Sequence, residues 1–304
     1  MRHEPGRRAL FAAPLLLVPA TARAQAWRAQ FRELRMSLIS SENERDALVR
    51  FQPFAAYMER TLGVPFRVFR ATDYAGAVEA LRSNQVEFSR LGPAAYALAR
   101  KVMGDRVAPV VRDRDDTGSE GYYSVIVVRA DSPIQTLADL RGRSLAWADP
   151  NSASGFAFPS YYLRKQGIEI ERFFSRTGFA GNHETAVLAV LNGSYDAAAT
   201  FWTNEQRGNV PRMVEKGMIP EGSMRMIWQT PLIPSSPYVT RTDLPRDLQE
   251  AFRDALLSIH ERDPDALRAL STTTSRFAPA RHEDYLDVIT VTEENEARRR
   301  RRRT

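Results

Sequence analysis

Ala77-Val78-Glu79-Ala80-Leu81-Arg82-Ser83-Asn84-Gln85-Val86-Glu87-Phe88 lines up without a gap against Ala186-Val187-Leu188-Ala189-Val190-Leu191-Asn192-Gly193-Ser194-Tyr195-Asp196-Ala197, 109 residues further on, with three identities in twelve positions. Each copy reads as an apolar helical stripe, a polar turn and the start of a strand. A supersecondary unit that recurs at a fixed offset predicts two lobes of similar build. Three residues ahead of the leading alanines stand Tyr74 in one copy and His183 in the other, each at the opening turn of its helix. Helix starts present unpaired N–H groups and the positive end of the dipole, so two lobes that face each other would aim both residues at a shared cleft.

Working outward, strand-like apolar runs alternate with helical periods, which is the α/β pattern. Leu34 to Ile39, Phe66 to Phe69 and Val125 to Val128 read as strands, with Ser144 to Ala148 as a further one. Asp46 to Leu62 reads as a helix closed by Gly63 and Pro65, and Leu244 to His260 and Asp263 to Leu270 read as terminal helices. Ile233-Pro234-Ser235-Ser236-Pro237 is held extended by its prolines and suits a crossing between lobes.

Composition narrows the classes of function. The 304 residues are 43% apolar and 26% charged, as in an ordinary globular chain long enough for two domains. There is no cysteine, which removes disulfides, thiolate nucleophiles, zinc-cysteine and iron-sulfur sites, and the lipidated cysteine of an anchored export product. Only four histidines are present, and no paired carboxylate that could serve as acid and base lies near the hydroxyl-rich loop described below, which argues against an enzyme. The net charge of +6 comes from Arg298 to Arg303, and without them basic and acidic residues balance at 37 each. That run reads as a solvated, disordered tail over residues 297 to 304, with no nucleic-acid partner assigned to it.

At the other end, Arg2, Arg7 and Arg8 precede a charge-free run of 14 residues from Ala9 to Ala22, followed by Ala22-Arg23-Ala24 and Ala24-Gln25-Ala26. This is the form of an export signal over residues 1 to 26 with cleavage near 24 to 26, too short to span a membrane, by either the general or the twin-arginine route. The mature chain is expected to be periplasmic, monomeric, and neither inserted in the membrane nor lipid-anchored.

Asp149-Pro150-Asn151-Ser152-Ala153-Ser154-Gly155 stands between a strand and the helical stretch Phe156 to Gln166. Serine hydroxyls and the backbone amides of a first helical turn can surround a tetrahedral oxyanion. The loop lacks the lysine of GxxxxGK[ST] and the spacing of GxGxxG, so nucleotide hydrolysis and dinucleotide binding lose support.

This loop, with Gly121-Tyr122-Tyr123-Ser124-Val125 and Leu137-Ala138-Asp139-Leu140-Arg141-Gly142, resembles the PhnD-like family of phosphate, phosphite and phosphonate binding proteins. Asp73-Tyr74-Ala75-Gly76, Leu91-Gly92-Pro93-Ala94-Ala95-Tyr96, His183-Glu184-Thr185-Ala186 and Thr230 to Pro237 extend the resemblance over roughly residues 34 to 260. It implies a type II periplasmic binding protein of two α/β lobes around a cleft. Residues 32 to 130 plus 237 to 290 would form lobe 1, and residues 131 to 236 lobe 2. It further implies capture of a phosphorus oxyanion for the membrane subunits of an ABC importer, with no cofactor, no metal and no chemistry on the ligand. By the same resemblance Ser152, the Ala153 N–H, Ser154 and His183 would hold the anion, and Tyr74 and Tyr122 would donate from the facing lobe.

Two departures bear on selectivity. Ala153 replaces a residue that often carries a hydroxyl, and Ser236 stands where relatives that take aminoalkyl phosphonates place an acid. Glu205, at the repeat offset from Tyr96, is the remaining acid that could reach a ligand, and Tyr96, Glu205 and Ser236 are peripheral candidates. The expected ligand is therefore a simple oxyanion or a phosphonate with a small neutral tail. The alternatives are another oxyanion such as a sulfonate, a ligand-binding sensor component, and an enzyme on the same two-lobed fold.

Overall fold

The computed structural model describes residues 26–39, 44–271 and 274–301, so the expected export signal, apart from Ala26, lies outside the described residues. The first sheet takes β1 (Leu34–Leu38), β2 (Phe66–Arg70), β3 (Phe88–Arg90) and β4 (Val107–Arg114) from the first third of the chain. Between them run α1 (Glu44–Leu62), α2 (Tyr74–Arg82) and α3 (Pro93–Met103). The chain then enters a second sheet through β5 (Gly121–Arg129), β6 (Ser144–Trp147), β7 (Arg176–Phe179), β8 (Ala197–Asn204), β9 (Arg207–Gly208), β10 (Met224–Gln229) and β11 (Ile233–Pro234). Its helices are α4 (Phe158–Lys165), α5 (Ile170–Phe173), α6 (His183–Leu191) and α7 (Asn209–Glu215). A return to the first sheet adds β12 (Pro237–Arg241) and β13 (Arg276–Pro279), with α8 (Arg246–Arg262), α9 (Pro264–Leu270) and a final α10 (Leu286–Arg301).

The strand order is β13-β4-β12-β3-β1-β2 in one sheet and β10-β5-β8-β6-β7 in the other, with β9 on β8 and β11 on β5. Both sheets share one kernel. β1 pairs in parallel with β2 and β3, and β12 lies antiparallel on β3. Likewise β6 pairs in parallel with β7 and β8, and β5 lies antiparallel on β8. In each sheet the antiparallel strand follows a crossing from the other, one near residues 115–120 and one at residues 235–236.

The repeat is visible in hydrogen bonds as well as in strand order. Glu87 Oε2 accepts the Arg35 amide at 2.7 Å, and Asp196 Oδ2 accepts the Ser144 amide at 2.8 Å, both partners being displaced by the same 109 residues. In each lobe a carboxylate at the end of the repeat thus closes the edge of the central parallel strand. Both α2 and α6 end just before a residue with positive φ, Asn84 at 60° and Gly193 at 74°. That left-handed step turns the chain back into the next strand, and glycine or asparagine tolerates it at least cost.

Two expectations are corrected. The expected bounds put β5 in lobe 1, but it pairs with β8 and β10, so the first crossing comes before Gly121 rather than at residue 130. Residues Val125 to Val128 are all buried there. An apolar run covered on both faces fits the centre of either sheet, so its sequence does not say which. The arginine run is the second correction, because α10 continues as far as Arg301. Arg299 lies over the Phe156 ring at 4.4 Å, and within the helix Glu296, itself paired with Lys101 of α3, meets Arg300, so an aromatic partner and a helical carboxylate hold a run that charge repulsion alone would loosen.

Apolar side chains fill both faces of each sheet. Phe88 is fully buried on the face that packs α1 and α8, stacked 3.7 Å from Phe252 and 6.3 Å from Phe66. Phe88→Ala is expected to cost about 3–5 kcal/mol, read as a fall in the urea midpoint without a change in slope.

Candidate functional site

Tyr74 and His183 are the first residues of α2 and α6. The preceding residues cap those helices alike: Asp73 accepts the Gly76 amide at 2.6 Å, and Asn182 accepts the Thr185 amide at 2.8 Å. The caps fix the entry angle of each helix and with it the direction of Tyr74 and His183. Both side chains line a cavity of about 510 Å³ between the two sheets.

The floor of the cavity is the loop after β6. Asp149 Oδ1 accepts the Asn151 amide at 2.7 Å, and Ser152 Oγ accepts the Gly155 amide at 3.0 Å, so Ser152 is an N-cap. The turn it caps is not an α-helix. Ala157 N donates to Ser152 O, five residues back, at 2.9 Å, and Ala153–Ala157 form one π-helical turn ahead of α4. Such single turns widen the backbone locally and recur at ligand sites. Ser124 Oγ on β5 donates to Ser154 O at 2.6 Å and fixes this turn to the second sheet.

Above the loop the polar groups converge. His183 Nε2 lies 3.1 Å from Ser152 Oγ, and its Nδ1 lies 3.2 Å from the hydroxyl of buried Thr200. The Phe201 ring meets the imidazole edge-on at 5.1 Å. Tyr74 lies beside Ser152 and Tyr122 beside Ser154 on the wall of the same cavity. Six residues singled out by sequence, Tyr74, Tyr122, Ser152, Ala153, Ser154 and His183, therefore all line one cavity. One detail differs: Tyr122 stands on β5 of the second sheet, so Tyr74 alone crosses from the first.

The peripheral residues divide. Ser236 lines the cavity. Tyr96 is fully buried away from it, bonded to His282 Nδ1 at 2.9 Å and packed on Tyr285. Glu205 is exposed on the β8–β9 turn and is not among the lining residues.

Burial decides the charge state of the cradle. It lowers the His183 pKa from 6.5 to about 3, with Arg212 adding to the shift, so the imidazole is neutral at physiological pH. Burial likewise pushes the Tyr74 hydroxyl up to about 12 and raises that of Tyr122, and both remain donors. Five cations that sequence reading passed over also line the cavity, Arg50, Arg90, Arg207, Arg212 and Lys216. Arg90 on β3 is paired with Asp113 at 2.6 Å, and Arg212 on α7 bonds Asn209 at 3.1 Å and lies 3.5 Å from Glu184. Burial works against the charge on Arg90, but Asp113 outweighs it and the guanidinium pKa is raised. Nothing local marks these arginines among 43 basic residues. Asp113, Asp115 and Glu215 also line the cavity, acids that the sequence argument about Ser236 did not bring forward.

Among the described residues no group of His, Cys, Asp and Glu could hold a metal ion, and no helix is long and apolar enough to cross a membrane.

The family model for the periplasmic phosphonate substrate-binding protein of ABC transporters matches residues 36–285. A phosphonates-binding periplasmic protein of Escherichia coli is 31% identical over 289 residues, covering 93% of this chain and 80% of that protein. The phosphate-import protein PhnD of Mycolicibacterium smegmatis is 30% identical over 220 residues, covering 69% of this chain and 67% of that one. The fold matches a PhnD protein of Prochlorococcus marinus solved with methylphosphonate, at a TM-score of 0.76 and 20% identity, over 87% of this chain and 98% of that one.

Two outcomes test this geometry. A Cβ on Gly155 would lie 2.4 Å from the Ala148 Cβ, 2.9 Å from Ser152 Oγ and 3.0 Å from His183 Cε1. Gly155→Ala should therefore displace the loop and abolish oxyanion binding by calorimetry while the far-ultraviolet spectrum is retained. For His183, whose pKa is about 3 when folded and 6.5 when free, the unfolded chain takes up the proton first. Stability should fall as pH drops from about 6.5 towards 3, by on the order of 5 kcal/mol from this residue. His183→Gln should remove that part of the acid sensitivity in urea melts run across the range.

Proposed function

The chain belongs to the family of periplasmic phosphonate substrate-binding proteins of ABC transporters, and from that premise we propose how it holds its ligand and which ligand it takes. Tyr74, Tyr122, Ser152, Ser154, the Ala153 amide and His183 form the seat for a phosphorus oxyanion. The observation that carries this reading is that Tyr74, from the first sheet, lines the same cavity as Ser152 and His183 of the second, which meet at 3.1 Å. A tetrahedral anion taken from water must regain several strong hydrogen bonds. These hydroxyls, the imidazole and the amides at the start of the π turn can supply them from several directions.

Membership in the family makes this an exported solute receptor. The finer reading is a leader cleaved near residues 24–26 and a monomeric receptor that closes its lobes on the ligand and hands it to the importer. We assign the lobes by sheet, with residues 34–114 and 237–279 in one and residues 121–234 in the other.

The Ser152–His183 pair invites comparison with a nucleophile and its base, and three features argue against that role. The imidazole is a weak base with its pKa near 3, its other nitrogen faces a threonine hydroxyl rather than a carboxylate, and Ser152 Oγ is engaged in capping.

Calorimetry of the mature chain against methylphosphonate, phosphite, phosphate, aminoethylphosphonate and sulfate tests the assignment. At least one phosphorus oxyanion should bind, and sulfate weakly or not at all. His183→Ala should raise the dissociation constant of that ligand about 10- to 150-fold, the loss of one hydrogen bond to a charged group. With Ser236 in place of an acid, aminoethylphosphonate should bind more weakly than methylphosphonate. The reverse order would assign the amine to Asp115 or Glu215, and binding of none of the four phosphorus ligands would overturn the function.

A further inference from the structure

The family match ends at residue 285, and the helix α10 begins at Leu286. This last helix packs on α3, which belongs to the first lobe, and also on α4 and the π turn, which belong to the second. Its anchors are specific. On the first-lobe side Glu296 pairs with Lys101 of α3. Just ahead of the helix, the Tyr285 hydroxyl donates to Ser235 O in the second crossing at 2.9 Å.

On the second-lobe side the contact is a buried amide. Asn295 is 5% exposed, and its Nδ2 donates to Ala157 O at 2.8 Å. Its Oδ1 accepts from Arg164 Nη1 at 2.8 Å and lies 3.5 Å from Ser160 Oγ. Ala157 is also the residue whose amide donates to Ser152 O at 2.9 Å. One residue of the π turn therefore carries a bond from Asn295 on one side and a bond to the hydroxyl loop on the other. Ala157 O also accepts from Ser160 Oγ at 3.2 Å, so the Asn295 amide is the donor to this carbonyl that comes from outside the turn and α4.

We propose that Asn295 is a positioning residue for the anion-binding loop, and that α10 is the strap through which the first lobe and the second crossing hold that loop in register. The proposal rests on the reading of Ser152 and Ser154 as oxyanion ligands. Its structural half, that Asn295 orders the π turn, stands apart from the identity of the ligand.

The test compares Asn295→Ala with Arg164→Ala. The second variant removes a neighbour of Asn295 but leaves the Asn295–Ala157 bond in place. Methylphosphonate release is followed by stopped-flow tryptophan fluorescence, with phosphate as a second probe, well below the melting temperature of all three proteins. Asn295→Ala should release ligand about tenfold faster with an association rate within twofold of the parent, whereas Arg164→Ala should stay within twofold in both. Amide exchange in the ligand-free proteins should be at least tenfold faster at residues 153–158 in Asn295→Ala alone, with β1 to β3 unchanged. A parental release rate and parental exchange in Asn295→Ala would overturn the proposal, as would equal effects of the two variants that merely follow their melting temperatures. If the parent binds neither probe, the oxyanion reading fails, and the exchange of residues 153–158 still decides whether Asn295 orders the turn.

Discussion

The contact between Ser152 Oγ and His183 Nε2, 3.1 Å and buried, joins the two chain segments that build the site. Ser152 caps the π turn through Gly155, and His183 opens α6 and reaches Thr200 on β8 behind it. A shift of either segment would leave a buried hydroxyl or ring nitrogen without its partner, at a cost of about 1–3 kcal/mol. The surroundings are built to prevent that shift. Ser124 holds the turn from β5, Asn209 Nδ2 donates to His183 O at 3.0 Å, and the only side chain that fits at position 155 is a hydrogen. Tyr74 thus lines the cavity opposite a floor whose own bonds already order it, so a ligand on the proposed seat would need little rearrangement of that floor.

The internal repeat explains how two helix starts come to face one cavity, and its divergence explains the chemistry there. Glu87 and Asp196 do the same structural work in the two lobes, as do the caps Asp73 and Asn182. Some of the differences between the copies fall in the cavity or next to it: Tyr74 matches His183, cavity-lining Arg90 matches buried Ala199, and Leu91 matches Thr200, the hydroxyl behind His183. The first lobe thereby presents a phenol and a paired guanidinium, and the second an imidazole backed by a hydroxyl. Pseudo-symmetric scaffolding with asymmetric side chains lets one backbone solution serve twice while the ligand meets different donors on each side.

The sequence revealed the parts whose signal is local. The helix starts at Tyr74 and His183, the capping serine and the extended prolines near residue 234 each follow from a few adjacent residues, and all were legible. What depended on distant pairing was not. Val125 to Val128 announce a buried strand, but only the partner strands β8 and β10 reveal its sheet, and the lobe of Tyr122 was misplaced with it. Glu205 sits at the repeat offset from Tyr96, yet neither lines the cavity, because the copies part company beyond their shared strand: Tyr96 turns into a buried contact with His282, and Glu205 stays exposed in a hairpin. The arginines at 298 to 301 show the same limit. Like charges predict a loose tail, and a helix forms where Phe156, Phe179 and Glu296 lie within reach of it.

The placement of charge fits a receptor that must let go. The side chains of the proposed oxyanion seat are neutral, and four of the cations that line the cavity have carboxylate partners, Arg90 with Asp113, Arg207 with Asp116, and Arg212 and Lys216 with Glu184. A bare arginine in direct contact would strengthen the hold on any anion, with little regard to shape. Paired arginines at a distance lower the cost of bringing a negative charge into a buried site, while hydrogen-bond direction from Tyr74, Ser152 and His183 selects for a tetrahedral set of oxygens. On the proposed reading recognition draws on both sheets, because Tyr74 comes from the first and Ser152 and His183 from the second.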